Sequence, residues 1–161
     1  MGGVFWWEKW RRWRNQWGVA TRTSAQEGAG GRGEDAAADY LAGTRNYRLI
    51  VRNWRQAPYE IDLVLWDGPV LVFVEVRARD EHALVGGYDS LTRRKREALR
   101  RAGLAYLRQC RRRPAHFRFD MVEASLQEGR VGGLLHHENI AIFRKEDRVR
   151  PTGAPAGGTR P

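Results

Sequence analysis

Apolar and polar residues alternate with a period of two through the middle of the chain, the pattern of half-buried strands. Leu49 and Val51 alternate with Arg48 and Arg52, which predicts a strand over 47–54. A second strand is predicted over 59–66 and a third over 70–77. The tight turn Asp67-Gly68-Pro69 joins them into an antiparallel hairpin. Phe117, Phe119 and Met121 alternate with Arg118 and Asp120 in a fourth strand over 117–123. Beyond a Gly-rich turn, a fifth strand is expected over 138–143. In two places the period lengthens to that of a helix. An Ala-rich helix is predicted over 34–42, with Tyr40 and Leu41 as its apolar contacts and Gly43 at its end. A longer helix is predicted over 90–109, with Leu91, Ala98, Ala102, Ala105 and Tyr106 on one face. This order of elements predicts an α/β fold, a mixed sheet of about five strands flanked by helices.

The flanks differ from this core. Trp6, Trp10, Trp13 and Trp17 recur at helical spacing among Lys9, Arg11, Arg12 and Arg14. Such an amphipathic basic helix suits a membrane surface, a nucleic acid or a docking partner. Residues 18–32 are rich in Gly, Ala, Ser and Thr and read as a linker, so the folded domain is expected over 33–144. Residues 145–161, charged and then rich in Pro and Gly, are expected to be a disordered tail. A chain of 161 residues with 42% apolar content suits one domain. No apolar run reaches the ~18 residues of a spanning helix, and the N-terminus lacks a secretory leader's pattern. The single cysteine, Cys110, permits no internal disulfide, which fits a cytoplasmic location. It reads as a helix-end residue without a neighbouring base to activate it.

Two carboxylates carry the chemistry. In Tyr59-Glu60-Ile61-Asp62-Leu63, strand geometry puts Glu60 and Asp62 on one face. In Leu71-Val72-Phe73-Val74-Glu75-Val76-Arg77, Glu75 interrupts an apolar run and shares a face with Arg77. A buried, ionised carboxylate needs compensation. One solution is a metal ion shared by Glu75 and Asp62, for which oxygen donors with open water positions suit Mg²⁺ or Mn²⁺. The other is a cross-strand ion pair with a nearby arginine.

A set of segments in order resembles the YraN family of bacterial proteins, Uncharacterised Protein Family 0102, of the PD-(D/E)XK or restriction-endonuclease-like superfamily. They are Gly33-Glu34 with Ala37, Tyr40 and Leu41; Arg52-Asn53 with Arg55; Glu60-Ile61-Asp62-Leu63; Val72-Phe73-Val74-Glu75-Val76 with Arg79; Lys95; and Arg118-Phe119-Asp120. The resemblance implies a restriction-endonuclease-like core. It implies that Asp62 and Glu75 bind the metal, that Glu34 approaches as a third acid, and that Lys95 occupies a basic family position. This sequence departs from the family pattern at Tyr59, where the family has Gly, and at Arg77, where it has Lys. A guanidinium stays protonated, so Arg77 cannot serve as a base, although it can neutralise charge in a transition state.

Charge sharpens the partner. The chain carries +10, and Arg93, Arg94, Lys95, Arg96, Arg100 and Arg101 crowd the long helix, with Arg108, Arg111, Arg112 and Arg113 following; Glu97 is the sole acid among them. A single-sign patch of this density suits phosphate contacts rather than base readout. The expected partner is nucleic acid, DNA first, recognised by shape or as a structured, branched or single strand. Two functions follow: a Mg²⁺-dependent endonuclease, or a non-catalytic nucleic-acid-binding module whose nuclease site is degenerate at Arg77. His136 and His137, adjacent in sequence, should point opposite ways and read as poor joint ligands. Trp54 and Trp66 read as packing aromatics.

Overall fold

The computed structural model describes residues 29–80, 91–111 and 113–148. The Trp/Arg segment, most of the expected linker, the loop after the third strand from residue 81 and the chain beyond 148 lie outside the described residues.

Five strands form one mixed sheet in the order β1-β2-β3-β4-β5: β1 Arg48–Gln56, β2 Tyr59–Asp67, β3 Val70–Asp80, β4 His116–Gln127 and β5 Arg130–His137. All neighbours are antiparallel except β3 and β4, which run parallel from Val70↔His116 to Asp80↔Leu126. A parallel pair needs a crossover, and α2 (Arg93–Gln109) lies in it. The first helix, α1 (Ala29–Asp39), continues into a wider π-helical turn at Tyr40–Thr44. Gly68, with φ +52, and Pro69 give the β2–β3 turn the φ signs of a type II′ hairpin.

The sheet is buried on both faces. Phe73, Phe119, Met121 and Trp54 pack with Leu99, Ala102, Tyr106 and Leu107 of α2, joined by Ile140 and Ile142 from the segment after β5. On the other face, Leu63, Leu65, Val72 and Val74 pack against Ala37, Ala38 and Leu41. Trp54 meets Tyr106 edge-on at 5.3 Å, so it is a packing aromatic. Cys110 follows α2 directly, and burial raises its pKa.

Several expectations need correction. The first helix begins at Ala29, inside the expected linker, despite its glycines. Packing holds it: a Cβ on Gly33 would lie 3.1 Å from the Ala78 Cβ and 3.4 Å from that of Ala124, so glycine lets the helix press onto β3 and β4. The long helix starts at Arg93, capped by Thr92, and its inner face uses Leu99, Gly103 and Leu107, whereas Ala98 is exposed. The fifth strand is Arg130–His137, not 138–143. A two-residue turn with positive φ at both Glu128 and Gly129 opens it, and it continues through Gly133 with a one-residue bulge at Gly132. Residues 145–147 form a 3₁₀ turn packed on the domain. The buried Asp147 carboxylate holds Arg100 through Nη2–Oδ1 at 2.5 Å and Nε–Oδ2 at 2.7 Å.

Candidate functional site

Glu34, Glu60, Asp62, Glu75, Arg77 and Lys95 line one open cavity of about 380 Å³, together with Val76 and Ala78. The cavity forms where β2 parts from β3. Their pairing ends at Leu63↔Val74, and beyond it the Val76 N–H donates to the Asp62 carboxylate (Oδ2, 2.8 Å) instead of continuing the ladder. Strand alternation also breaks here. Ile61 contributes to the α2-side core and Leu63 to the α1-side core, although they stand two positions apart on one strand. Asn53 of β1, flanked by the pairs Arg52↔Leu63 and Trp54↔Ile61, has φ +50 at the same level. Asn is among the few side chains that adopt this left-handed conformation readily. The two strands therefore turn together, and Asp62 is aimed into the cavity.

Glu75 is buried, and two cations hold its Oε1: Lys95 Nζ at 2.8 Å and Arg77 Nε at 3.3 Å. The Arg77 contact is electrostatic; Nε has no aligned hydrogen-bond acceptor among the described residues. Glu75 is thus ion-paired, but not across strands as expected: Arg77 lies on its own strand, and the nearer cation is Lys95 on the helix. Asp62 is less well compensated. Burial, then the charge of Glu75, pushes its pKa up to about 7; Glu34 adds to the rise, while the Val76 N–H and Lys95 oppose it. Glu60 also borders the cavity, though Arg55 engages its Oε1 at 2.6 Å.

The donor set suits a hard divalent cation in an open site. All candidate donors are carboxylate oxygens, and the mutual repulsion that raises the Asp62 pKa is what a cation would relieve. Among the described residues, however, no three His, Cys, Asp or Glu side chains close on one point tightly enough to enclose an ion. Glu34, Asp62 and Glu75 border the same cavity without forming a complete ligand shell, so an ion held there would need its remaining ligands from outside the chain's carboxylates.

The basic residues separate by role. Arg93, Arg94 and Arg101 are exposed. Lys95 turns into the acidic cavity, and Arg100 is taken up by Asp147, its side chain only 16% exposed. Arg100 is therefore a structural residue rather than a surface phosphate contact. The two histidines diverge, as expected: His136 pairs with Asp120 at 3.0 Å and His137 with Glu123 at 2.7 Å. Asp120, fully buried, also accepts from Arg118 at 2.9 Å and from the Asn139 N–H at 2.8 Å. This network ties β4 to β5 on the face opposite Glu75 and is structural. Strand alternation had placed Glu60 on the face of Asp62, though not as a cavity wall; for the kink at Asn53 the only available signal was an Asn inside a strand run.

A family model described as Uncharacterised protein family UPF0102 matches residues 33–124. Similar curated proteins carry the name UPF0102 protein. One from Pelotomaculum thermopropionicum is 42% identical over 108 residues, covering 66% of this chain and 89% of the relative. One from Mycolicibacterium gilvum is 36% identical over 122 residues, covering 74% and 98%. One from Nitratidesulfovibrio vulgaris is 41% identical over 98 residues, covering 61% and 72%.

Proposed function

The chain belongs to Uncharacterised protein family UPF0102, and from that premise we propose that it is a metal-dependent endonuclease acting on DNA, structured or branched forms included. The observation that carries this reading is the acid-lined cavity into which Lys95 reaches, beside a helix crowded with arginines. The restriction-endonuclease-like superfamily that the sequence resembles places acids on the same two strands.

In this reading Asp62 and Glu75, with Glu34 at the rim, hold Mg²⁺ or Mn²⁺, which when bound polarises a phosphodiester and lowers the pKa of water. The protein supplies the rest. The Val76 N–H orients Asp62. Arg77 and Lys95 fix Glu75 and present positive charge where the reacting phosphate gathers negative charge. Arg77 stays protonated, and Lys95 brings a second cationic donor into the cavity beside it. The exposed arginines of α2 grip flanking phosphates without reading bases.

The test is incubation of the purified chain with linear, single-stranded and branched DNA in Mg²⁺ or Mn²⁺. Asp62→Asn and Glu75→Gln are expected to cut at least about a hundredfold more slowly. Equal cutting by both variants would remove the proposal. Arg77 favours one further reading, a binding module with a degenerate site. If the natural chain and Arg77→Lys both bind DNA and neither cuts, that module is the function.

A further inference from the structure

The two rims of the sheet are built differently. β1 and β5 are its edge strands, and an edge presents unpaired N–H and C=O groups that a further strand can take up. β1 is guarded. Arg48, Arg52 and Arg55 stand exposed along it, its register shifts between Leu49 and Val51, and Asn53 at φ +50 interrupts the alternation. Charge, bulges and kinks keep a second strand off an edge.

β5 carries less protection. Its bulge lies near its start, at Gly132, and from Gly133 to His137 the register with β4 runs unbroken. Among the described residues β5 pairs with β4 alone. Its histidines are turned inward to Asp120 and Glu123, and Arg130 is its single arginine against three on β1. Leu135, in the unbroken stretch, is the one large apolar side chain left exposed among the described residues, at 58%. Gly132 and Gly133 beside it are exposed and present no side chain that would hold another backbone away.

This rim matches a copy of itself. Antiparallel pairing about a two-fold axis at Leu134 sets each Leu135 opposite Gly133 of the other copy, on one face of the sheet. The leucine then covers the bare glycine. The ends are complementary too. Arg130 opens the strand and Glu138 follows it, both exposed, so the same axis brings Arg130 of one copy near Glu138 of the other. The symmetry makes each match twice. A chain of net charge +10 repels its copies, and of the two rims this one, with the fewer arginines, opposes contact less.

We propose that β5 is an interface at which a second copy of this chain adds its own β5, giving one continuous ten-stranded sheet. The axis of an antiparallel pair stands perpendicular to the sheet, so both copies turn their α2 face to the same side. The two β3 strands lie five strand spacings apart, about 24 Å along the sheet. Two acidic cavities and two arginine-rich helices therefore face one side, where a single polyanion can span both. The interface itself does not rest on the nuclease reading.

The experiment uses the full chain without metal or nucleic acid, so cutting plays no part. Sedimentation equilibrium in about 0.3 M salt, which screens the net charge, is expected to show a dimer that grows in between about 1 and about 200 µM. Hydrogen exchange is expected to protect amides of 130–137 in the concentrated sample only, with those of β1 unchanged. Leu135→Lys is expected to weaken dimerisation at least about tenfold, with an unchanged melting temperature in dilute solution because the side chain is exposed there. Arg130→Glu is expected to weaken it about threefold. A monomer at every concentration overturns the proposal, and so does a dimer that Leu135→Lys leaves intact. Equal protection of β5 in dilute and concentrated samples overturns it as well, since the edge is then covered from within one chain.

Discussion

Asp62 holds its proton more tightly in the folded protein than in the unfolded chain, because folding raises its pKa from an ordinary 3.8 to about 7, through burial first and the facing Glu75 second. The sign of the linkage follows. The stability tied to this group is complete below the unfolded value, declines as pH rises, and is lost above about 7. Asp62→Asn, permanently neutral, is therefore expected to be more stable than the natural chain at about pH 8, by roughly 1–3 kcal/mol, and to differ little at about pH 4. A divalent cation reverses the preference by favouring the ionised pair, so Mn²⁺ should raise the melting temperature of the natural chain at about pH 8 and leave that of Asp62→Asn unchanged. Differential scanning calorimetry of both proteins, with and without Mn²⁺, measures each effect; a variant less stable at both pH values contradicts the assignment of strain to this carboxyl. Much of this was legible in the sequence. Glu75 stood out as an acid in an apolar run, and Asp62 as its neighbour across a hairpin. The kink at Asn53 was not legible, because a positive φ inside a strand leaves no periodic trace.

At the scale of elements, α2 packs against the segment after β5 at a glycine as well as through Arg100 and Asp147. A Cβ on Gly103 would sit 2.6 Å from the Phe143 Cζ. In an isolated helix, Gly→Ala stabilises by about 0.8–1 kcal/mol. Here the ring that must move is wedged among Phe73, Phe117 and Phe119, and overpacking a filled core costs roughly 1–3 kcal/mol. The steric effect is the larger, so Gly103→Ala is expected to lower stability by about 1 kcal/mol in urea unfolding; a net gain would mean that Phe143 can leave its place freely. The same packing explains which elements the sequence located. β2, β3 and β4 carry long apolar alternation because both faces of the sheet are covered. β5 was misplaced because Gly132 and Gly133 look like a turn. The true turn puts a glutamate at φ 47, a position where Asn, Asp or Gly is the usual signal. Ala98 was placed inside because Leu91, which lies outside the helix, set the wrong phase; counting from the Thr92 cap puts Leu99, Ala102, Gly103 and Tyr106 inward.

Across the whole molecule, the net charge of +10 divides into cations that hold the fold and cations that face solvent. Arg94, Arg101 and Arg108 are exposed and recur every seven residues, so they form one stripe along α2, about 21 Å from end to end. Arg100 lies among them in sequence but points to Asp147, a carboxylate only 8% exposed. The two groups should therefore respond to different measurements. Each duplex phosphate released from its counterions contributes about 0.9 to the slope of log affinity against log salt. Arg94→Gln/Arg101→Gln/Arg108→Gln is expected to flatten that slope by roughly 2–3 units at unchanged melting temperature. Arg100→Gln removes no phosphate contact, so its slope should match the natural chain. It leaves a buried carboxylate without its cation, and stability should fall by roughly 1–3 kcal/mol. If instead the Arg100 variant flattens the slope as much as the stripe variant does, Asp147 releases its arginine to the DNA, and the segment after β5 is part of the binding surface rather than its support.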